Sequence, residues 1–283
     1  MSALAKVPAV EAPRSMWTVR ILTGLIIVLA AVAAAAGLFL PDLYHGTAWI
    51  VSATRGTDLY TLAVAVPAMI VTLFFLRPGA VRATLVMMGL TAYMLYTYIG
   101  AAMTYDFSGF FPIHVALFSL CVFALAAMVS SLDVAGIDRR FGARVPRKPI
   151  AIFLIFMGVM LLFMEVGQLL PYYTTGAMPL PMQLAESTVF YPFALDLGMI
   201  APLTVLSGIW LWQRRPAGYL LTSCMLIKSA TMGFALLATN AYNLMAGQTT
   251  DTIEWILMYG MIGLGGLGFA IWFFRYFRSQ ENA

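Results

Sequence analysis

Charged side chains are scarce in this chain and absent from long stretches of it. Lys, Arg, Asp and Glu make up 10% of the 283 residues, against 62% hydrophobic, and the mean hydropathy is +0.89. A soluble domain has too little polar surface to cover that much apolar material, so that class is excluded. The apolar/polar alternation of a membrane barrel is missing too. Cysteine and histidine number two each. Cys121 and Cys224 fall in different apolar runs without CxxC spacing, and read as small packing residues rather than a disulfide. His45 and His114 lie near the outer face, outside any HExxH pattern. Two histidines make a poor metal site and argue against bound haem. No Walker motif, phosphate-cradling glycine loop or GxSxG elbow occurs. The glycines from Gly260 to Gly268 lie inside an apolar run, where they permit close helix approach. No metal or cofactor is therefore indicated.

What the sequence does have is eight apolar runs, each about the length of a membrane-spanning helix. They cover Val19–Leu40, Leu59–Leu76, Ala80–Met103, Pro112–Leu132, Pro149–Leu170, Tyr191–Trp212, Tyr219–Tyr242 and Thr252–Phe274. The expected fold is an all-α, polytopic membrane bundle of eight helices, with no soluble domain. Small residues at Ala33–Ala36 mimic a signal-peptide cleavage site, but the run is too long for that and its end recurs later in the chain.

Basic residues set the orientation. The N-tail has Lys6, Arg14 and Arg20, the second turn Arg77 and Arg82, and the central loop Arg139, Arg140, Arg144, Arg147 and Lys148. Arg214 and Arg215 follow span six, and Arg275 and Arg278 follow span eight. All fourteen fall on one side, and the opposite loops have only Arg55. Both termini are expected in the cytoplasm of a cell with this protein in its inner membrane. The basic excess suits anionic lipid headgroups, so a pI near 9.1 calls for no nucleic-acid partner.

The chain also repeats itself. Gly37-Leu-Phe-Leu-Pro41 ends span one and Gly167-Gln-Leu-Leu-Pro171 ends span five. Asp58-Leu opens span two and Asp196-Leu opens span six, and Pro78 and Pro216 each follow twenty positions later. Four spans is an even number, so the repeat is parallel. It divides the chain into a tail (1–18), a first four-helix unit (19–132), a basic linker (133–148), a second four-helix unit (149–274) and a second tail (275–283).

The halves differ in buried charge. Lys228 aligns with Leu90, Glu165 with Ala35 and Gln168 with Leu38, whereas Asp196 aligns with Asp58. Shared features serve the fold, and unshared buried charges are candidates for function. Lys228 lies about 18 Å from the cytoplasmic turn, near mid-membrane, at 1.5 Å per residue. A charge there costs roughly 2.5–3.5 kcal/mol by insertion scales. Glu165 and Asp196 are the expected counter-charges, with Glu165 in reach if spans five and seven are neighbours. Gln168 shares the face of Glu165. Thr222, Ser229 and Thr231 offer hydroxyls near the lysine. Such a cluster can also simply lock helices together.

Other polar positions have plainer readings. Arg55 and Asp58 form a rim pair near the outer surface. Glu254 caps the start of span eight. Tyr93, Tyr96, Tyr98, Tyr105, Tyr172, Tyr173 and Tyr191 read as an interfacial aromatic belt. The long outer loop from Pro171 to Pro192 is a candidate lid, with Pro179-Leu-Pro181 interrupting any helix.

These features favour a small-solute secondary transporter or permease. The alternative is a membrane sensor or accessory subunit that holds a lipid, a quinone or a partner helix. A lipid enzyme is less well supported, since the acids lack a nucleophile or metal. A retinal Schiff base on Lys228 conflicts with the 4+4 duplication, and a visible band shifted by acid would revive it.

Overall fold

The structure is a computed structural model describing residues 13–104, 107–142 and 144–278, with the backbone alone for 13–15. Lys6, Tyr105 and the side chain of Arg14 lie outside that description. Among the described residues eight helices are long and apolar enough to cross a membrane: α1 (Pro13–Phe39), α2 (Ala48–Phe75), α3 (Val81–Thr104), α4 (Phe111–Ser130), α5 (Arg147–Thr175), α6 (Tyr191–Trp212), α7 (Pro216–Met245) and α8 (Ile253–Phe274). This is a multi-pass membrane protein. Its outer surface is apolar, with Phe74, Phe163 and Leu264 turned outward, while Thr, Asp, Glu and Lys side chains are enclosed. That reverses the arrangement of a water-soluble protein.

Among the boundaries that differ from the sequence expectation, two have a local reason. α2 begins eleven residues earlier than its apolar run. Its polar first turns are held inside the bundle, with the hydroxyls of Thr54 and Thr57 donating to the carbonyls of Ile50 and Ala53. α5 runs through Pro171 instead of stopping at it. A helical proline crowds the carbonyl four residues back, and here that residue is Gly167, which has open space around its Cα. The helix ends at Gly176, whose φ of 78° suits a left-handed cap. The matching motif in α1 does end its helix, with Pro41 outside it.

Both α2 and α6 contain a π-helical turn. The Val66 N–H donates to Thr61 O, and the Ala201 N–H donates to Asp196 O, five residues back in each case. A proline follows directly, Pro67 in one and Pro202 in the other. Its missing N–H and its ring disrupt the regular ladder, and the wider turn absorbs the disruption. In α6 this turn begins at Asp196.

α7 is the central helix, packed against α2, α3, α6 and α8. Its neighbours approach closely because glycines line the seams. A Cβ on Gly56 of α2 would meet Thr239 Cα at 2.7 Å, and one on Gly266 of α8 would meet Ala230 N at 2.7 Å. The linker docks on the same helix. Asp133 caps a short 3-10 helix (Val134–Arg140), and Phe141 stacks on Phe273 with ring centroids 4.4 Å apart. Arg147 donates to the Tyr219 hydroxyl at 3.2 Å, and the guanidinium of Arg82 sits 5.8 Å from the Phe274 ring. The arginine-bearing segments thus gather at one end of the bundle, the basic end. The opposite end is called distal below.

Candidate functional site

Lys228 is 4% exposed, because α7 is covered on every side by protein. Its Nζ lies 4.6 Å from the centre of the Tyr96 ring on α3. Among the described residues no carboxylate oxygen comes within 4.0 Å of that nitrogen. α5, which carries Glu165, packs on α6 rather than on α7, and the direct Lys228–Glu165 contact does not form. The counter-charge is supplied at one remove. The Tyr96 hydroxyl donates to Asp196 Oδ2 at 3.1 Å, and Asp196 lines the same cavity as Lys228. A cation over an aromatic face gains about 2 kcal/mol when desolvated, which offsets much of the cost of placing it there.

Lys228 borders a cavity of about 260 Å³. Along α7 the lining starts at Lys228 and runs to Asn243, toward the distal end, and no earlier α7 residue contributes. On the basic side of the lysine the bundle is filled by buried Met225, Leu226 and Leu220. The cavity exists because the second half of the bundle is splayed. α1 and α4 pack together along their length, whereas α5 and α8 barely touch. They meet near the basic end, where Phe153 stacks on Phe269 with centroids 4.5 Å apart. Distal to that stack, Leu161 and Glu165 of α5 face Trp255 and Ile262 of α8 across the cavity.

The loop between α5 and α6 contributes to the distal part of the cavity lining. A one-turn helix (Leu180–Leu184) places Leu180, Pro181 and Leu184 on the lining. Pro179 and Pro181 start this helix rather than interrupt it, since proline suits the first helical positions. The Thr47 hydroxyl pins the turn by donating to Leu184 O at 2.7 Å.

The described residues form no cluster of three or more His, Cys, Asp or Glu that would hold a metal ion. No protein-family model, curated protein or solved structure matches the chain. The site must therefore be read from its own chemistry.

Lys228, Glu165, Gln168, Asp196 and Ser229 share the cavity. Glu165 is buried, and its one hydrogen-bond neighbour is the Gln168 amide, at a long 3.5 Å. The remaining candidates lie off the lining. Thr231 donates to the carbonyls of Ile227 and Lys228, and Thr222 to that of Ser207. Glu254 stands exposed in the first turn of α8. Asp58 is enclosed in the first half, where it accepts from the Tyr44 hydroxyl at 2.7 Å. A Cβ on Gly37 would land on its Oδ2. Asp58 makes no rim pair: Arg55 is not within ion-pair distance of it, and Arg55 Nε is buried without a partner among the described residues. Tyr44→Phe should cost about 1–3 kcal/mol by removing the donor to this buried carboxyl. A thermal unfolding midpoint unchanged from wild type would show that the contact carries no weight.

Of the tyrosines expected in an aromatic belt, Tyr172 and Tyr173 are exposed, whereas Tyr93, Tyr96 and Tyr98 are buried and cannot form one. Sequence position alone puts those three at the right depth for a belt, and only the facing of α3 against α7 and α2 turns them inward. A further group escaped the sequence reading altogether. Asp251, in the loop before α8, accepts from Asn240 Nδ2 and from the Tyr259 hydroxyl, each at 3.0 Å, and its own N–H donates to Asn240 Oδ1 at 2.8 Å. This cluster joins α7 to α8 at the distal end of the cavity. A polar residue at a helix end reads as ordinary in a sequence, so nothing distinguished it there.

Proposed function

We propose that the protein is a permease of the cytoplasmic membrane that moves a small solute through the cavity between α5 and α8. Glu165 and Asp196 carry the coupling proton, and Lys228 is the fixed charge at the base. The observation that carries this reading is the shape of the cavity. It descends from the distal loops to an enclosed ammonium about halfway along α7 and is closed beyond it. A binding site at mid-depth, open to one side only, is what one access state of a carrier requires. Intramembrane ionisable groups on such a path are the usual proton relays.

On this reading the basic end faces the cytoplasm by the positive-inside rule, and the distal mouth faces out. A parallel duplication supports the carrier geometry. The shared acids Asp58 and Asp196 each lie within one turn of a π-helical turn and a following proline, and α3 meets its counterpart α7 across the centre. The first half is then the closed copy and the second the opened one.

In proteoliposomes, uptake of the transported solute should rise with an inward acid gradient. Glu165→Gln should reduce that acid-driven component at least ten-fold while leaving the protein folded. Gradient-independent uptake, or full coupling in the variant, would remove the proton role. The α5–α8 gap also favours a second reading, a non-transporting subunit holding a lipid, quinone or partner helix. Stable copurification of a partner with no flux in liposomes would select it.

A further inference from the structure

We infer that the cavity takes an amphipathic monocarboxylate. The carboxylate sits on Lys228 beside the Tyr96 ring, and the apolar body extends between α5 and α8 toward the distal mouth. This inference rests on the permease reading only in using the same cavity, and its test reads binding rather than flux.

Three observations converge. First, the lysine is enclosed, faces the cavity and lacks a carboxylate oxygen in contact. An ammonium has three donors, and the Tyr96 ring satisfies charge but accepts no conventional hydrogen bond. Ser229, the next residue on α7, lines the same cavity, and its hydroxyl is bonded to no described residue. The ammonium is a donor left for an oxyanion, and charge-assisted bonds of this kind are the strong ones.

Second, no acid of the cavity touches the ammonium among the described residues. Asp196 is bonded to Tyr96, Asp251 to Asn240 and Tyr259, and Glu165 only to the Gln168 amide at 3.5 Å. Among the described residues the ammonium is left with hydrogen-bond capacity that these acids do not fill. With Glu165 and Asp196 lining the same space, each added negative charge is repelled in a low-dielectric site, so a monoanion is favoured over a dianion.

Third, the wall above the lysine is apolar. Met232 and Leu236 of α7, Met157 and Leu161 of α5, and Trp255 and Ile262 of α8 line it. A fully hydrophilic anion would leave these surfaces against water, whereas an alkyl or aryl body covers them. At about 260 Å³ the space falls just below the usual range of ligand pockets, which run from roughly 300 Å³ upward. That points to a compact, medium-length body.

The test is calorimetric titration of the purified full chain with four ligands of one chain length: octanoate, octanamide, octylamine and octyl phosphate, each below its micellar concentration. Octanoate should bind at least ten-fold tighter than the other three. Lys228→Met should bring octanoate down to the affinity of octanamide, and Lys228→Arg should retain the preference. The wild-type series decides the matter even if a variant fails to fold. Equal or tighter binding of the amide, amine or phosphate overturns the inference, as does undiminished octanoate binding by folded Lys228→Met. Octanoate binding without flux in liposomes would sink the permease reading and leave this one standing. Flux of another solute with no octanoate binding would do the reverse.

Discussion

Gly233→Val is expected to cost about 3 kcal/mol or more, enough to remove most folded protein from the membrane. Gly233 lies where α7 and α8 run closest. A Cβ there would meet the Gly263 backbone nitrogen, with Gly263 Cα and Tyr259 O each at 2.6 Å. These are backbone atoms, so no side chain can rotate away and the helices must part. Two effects follow from that separation. Packing between the helices is lost in a solvent that offers no hydrophobic drive to restore it, and the Asp251–Asn240–Tyr259 cluster that joins them is pulled open. Gly260→Val on α8 is the control, because Gly260 faces open space and the change should stay within about 0.5 kcal/mol. The comparison is the yield of monodisperse protein and its unfolding midpoint. Equal loss for both glycines would mean that helix propensity, and not the close approach, sets the cost.

Asp196→Leu and Lys228→Met are expected to have opposite effects on stability. Removing the acid leaves an ammonium at mid-depth with only the Tyr96 ring beside it and strips the buried Tyr96 hydroxyl of its acceptor, which costs about 1–3 kcal/mol. Removing the lysine instead deletes the charge that is expensive to hold there, roughly 2.5–3.5 kcal/mol by insertion scales. The acid left behind keeps its Tyr96 hydrogen bond and can be stored as a neutral carboxylic acid. Lys228→Met should therefore melt at or above the wild-type temperature while losing uptake. The double variant should recover most of the stability lost by Asp196→Leu, since the two sites are coupled and their effects are not additive. A double variant as unstable as Asp196→Leu alone would show that Asp196 serves the fold through Tyr96 and does not answer the lysine.

The parts of this molecule that were legible in its sequence are those set by the solvent. Hydrocarbon demands long uninterrupted apolar helices, so α6 can be read to the residue, and Lys228 stands out as a charge with no right to be there unless something accompanies it. What was illegible is rotation about each helix axis. Lys228 was paired in expectation with Glu165 because both are deep and charged. Depth follows from counting along a helix, but whether α5 faces α7 depends on packing that leaves no periodic mark in so apolar a sequence. Tyr96 was misread for the same reason, since belt and core tyrosines occupy the same depth. Pro171 misled in the other direction: it signals a helix end, and only the bare Gly167 one turn back lets the helix continue. The splay of α5 from α8 had no signal at all, because it is a difference between two halves whose sequences share little beyond their anchors.

On the permease reading, water enters from the distal mouth, reaches Lys228 and goes no further. Cysteine accessibility in intact cells reads this path. In a background with Cys121 and Cys224 replaced by serine, single cysteines are placed at Ser229, Met232 and Leu226 and exposed to a charged, membrane-impermeant thiol reagent from outside. Ser229→Cys and Met232→Cys, which line the cavity, should react, and Leu226→Cys, fully enclosed half a turn before Lys228, should not. Protection of all three, or reaction at Leu226→Cys to the same extent as the others, would contradict the account.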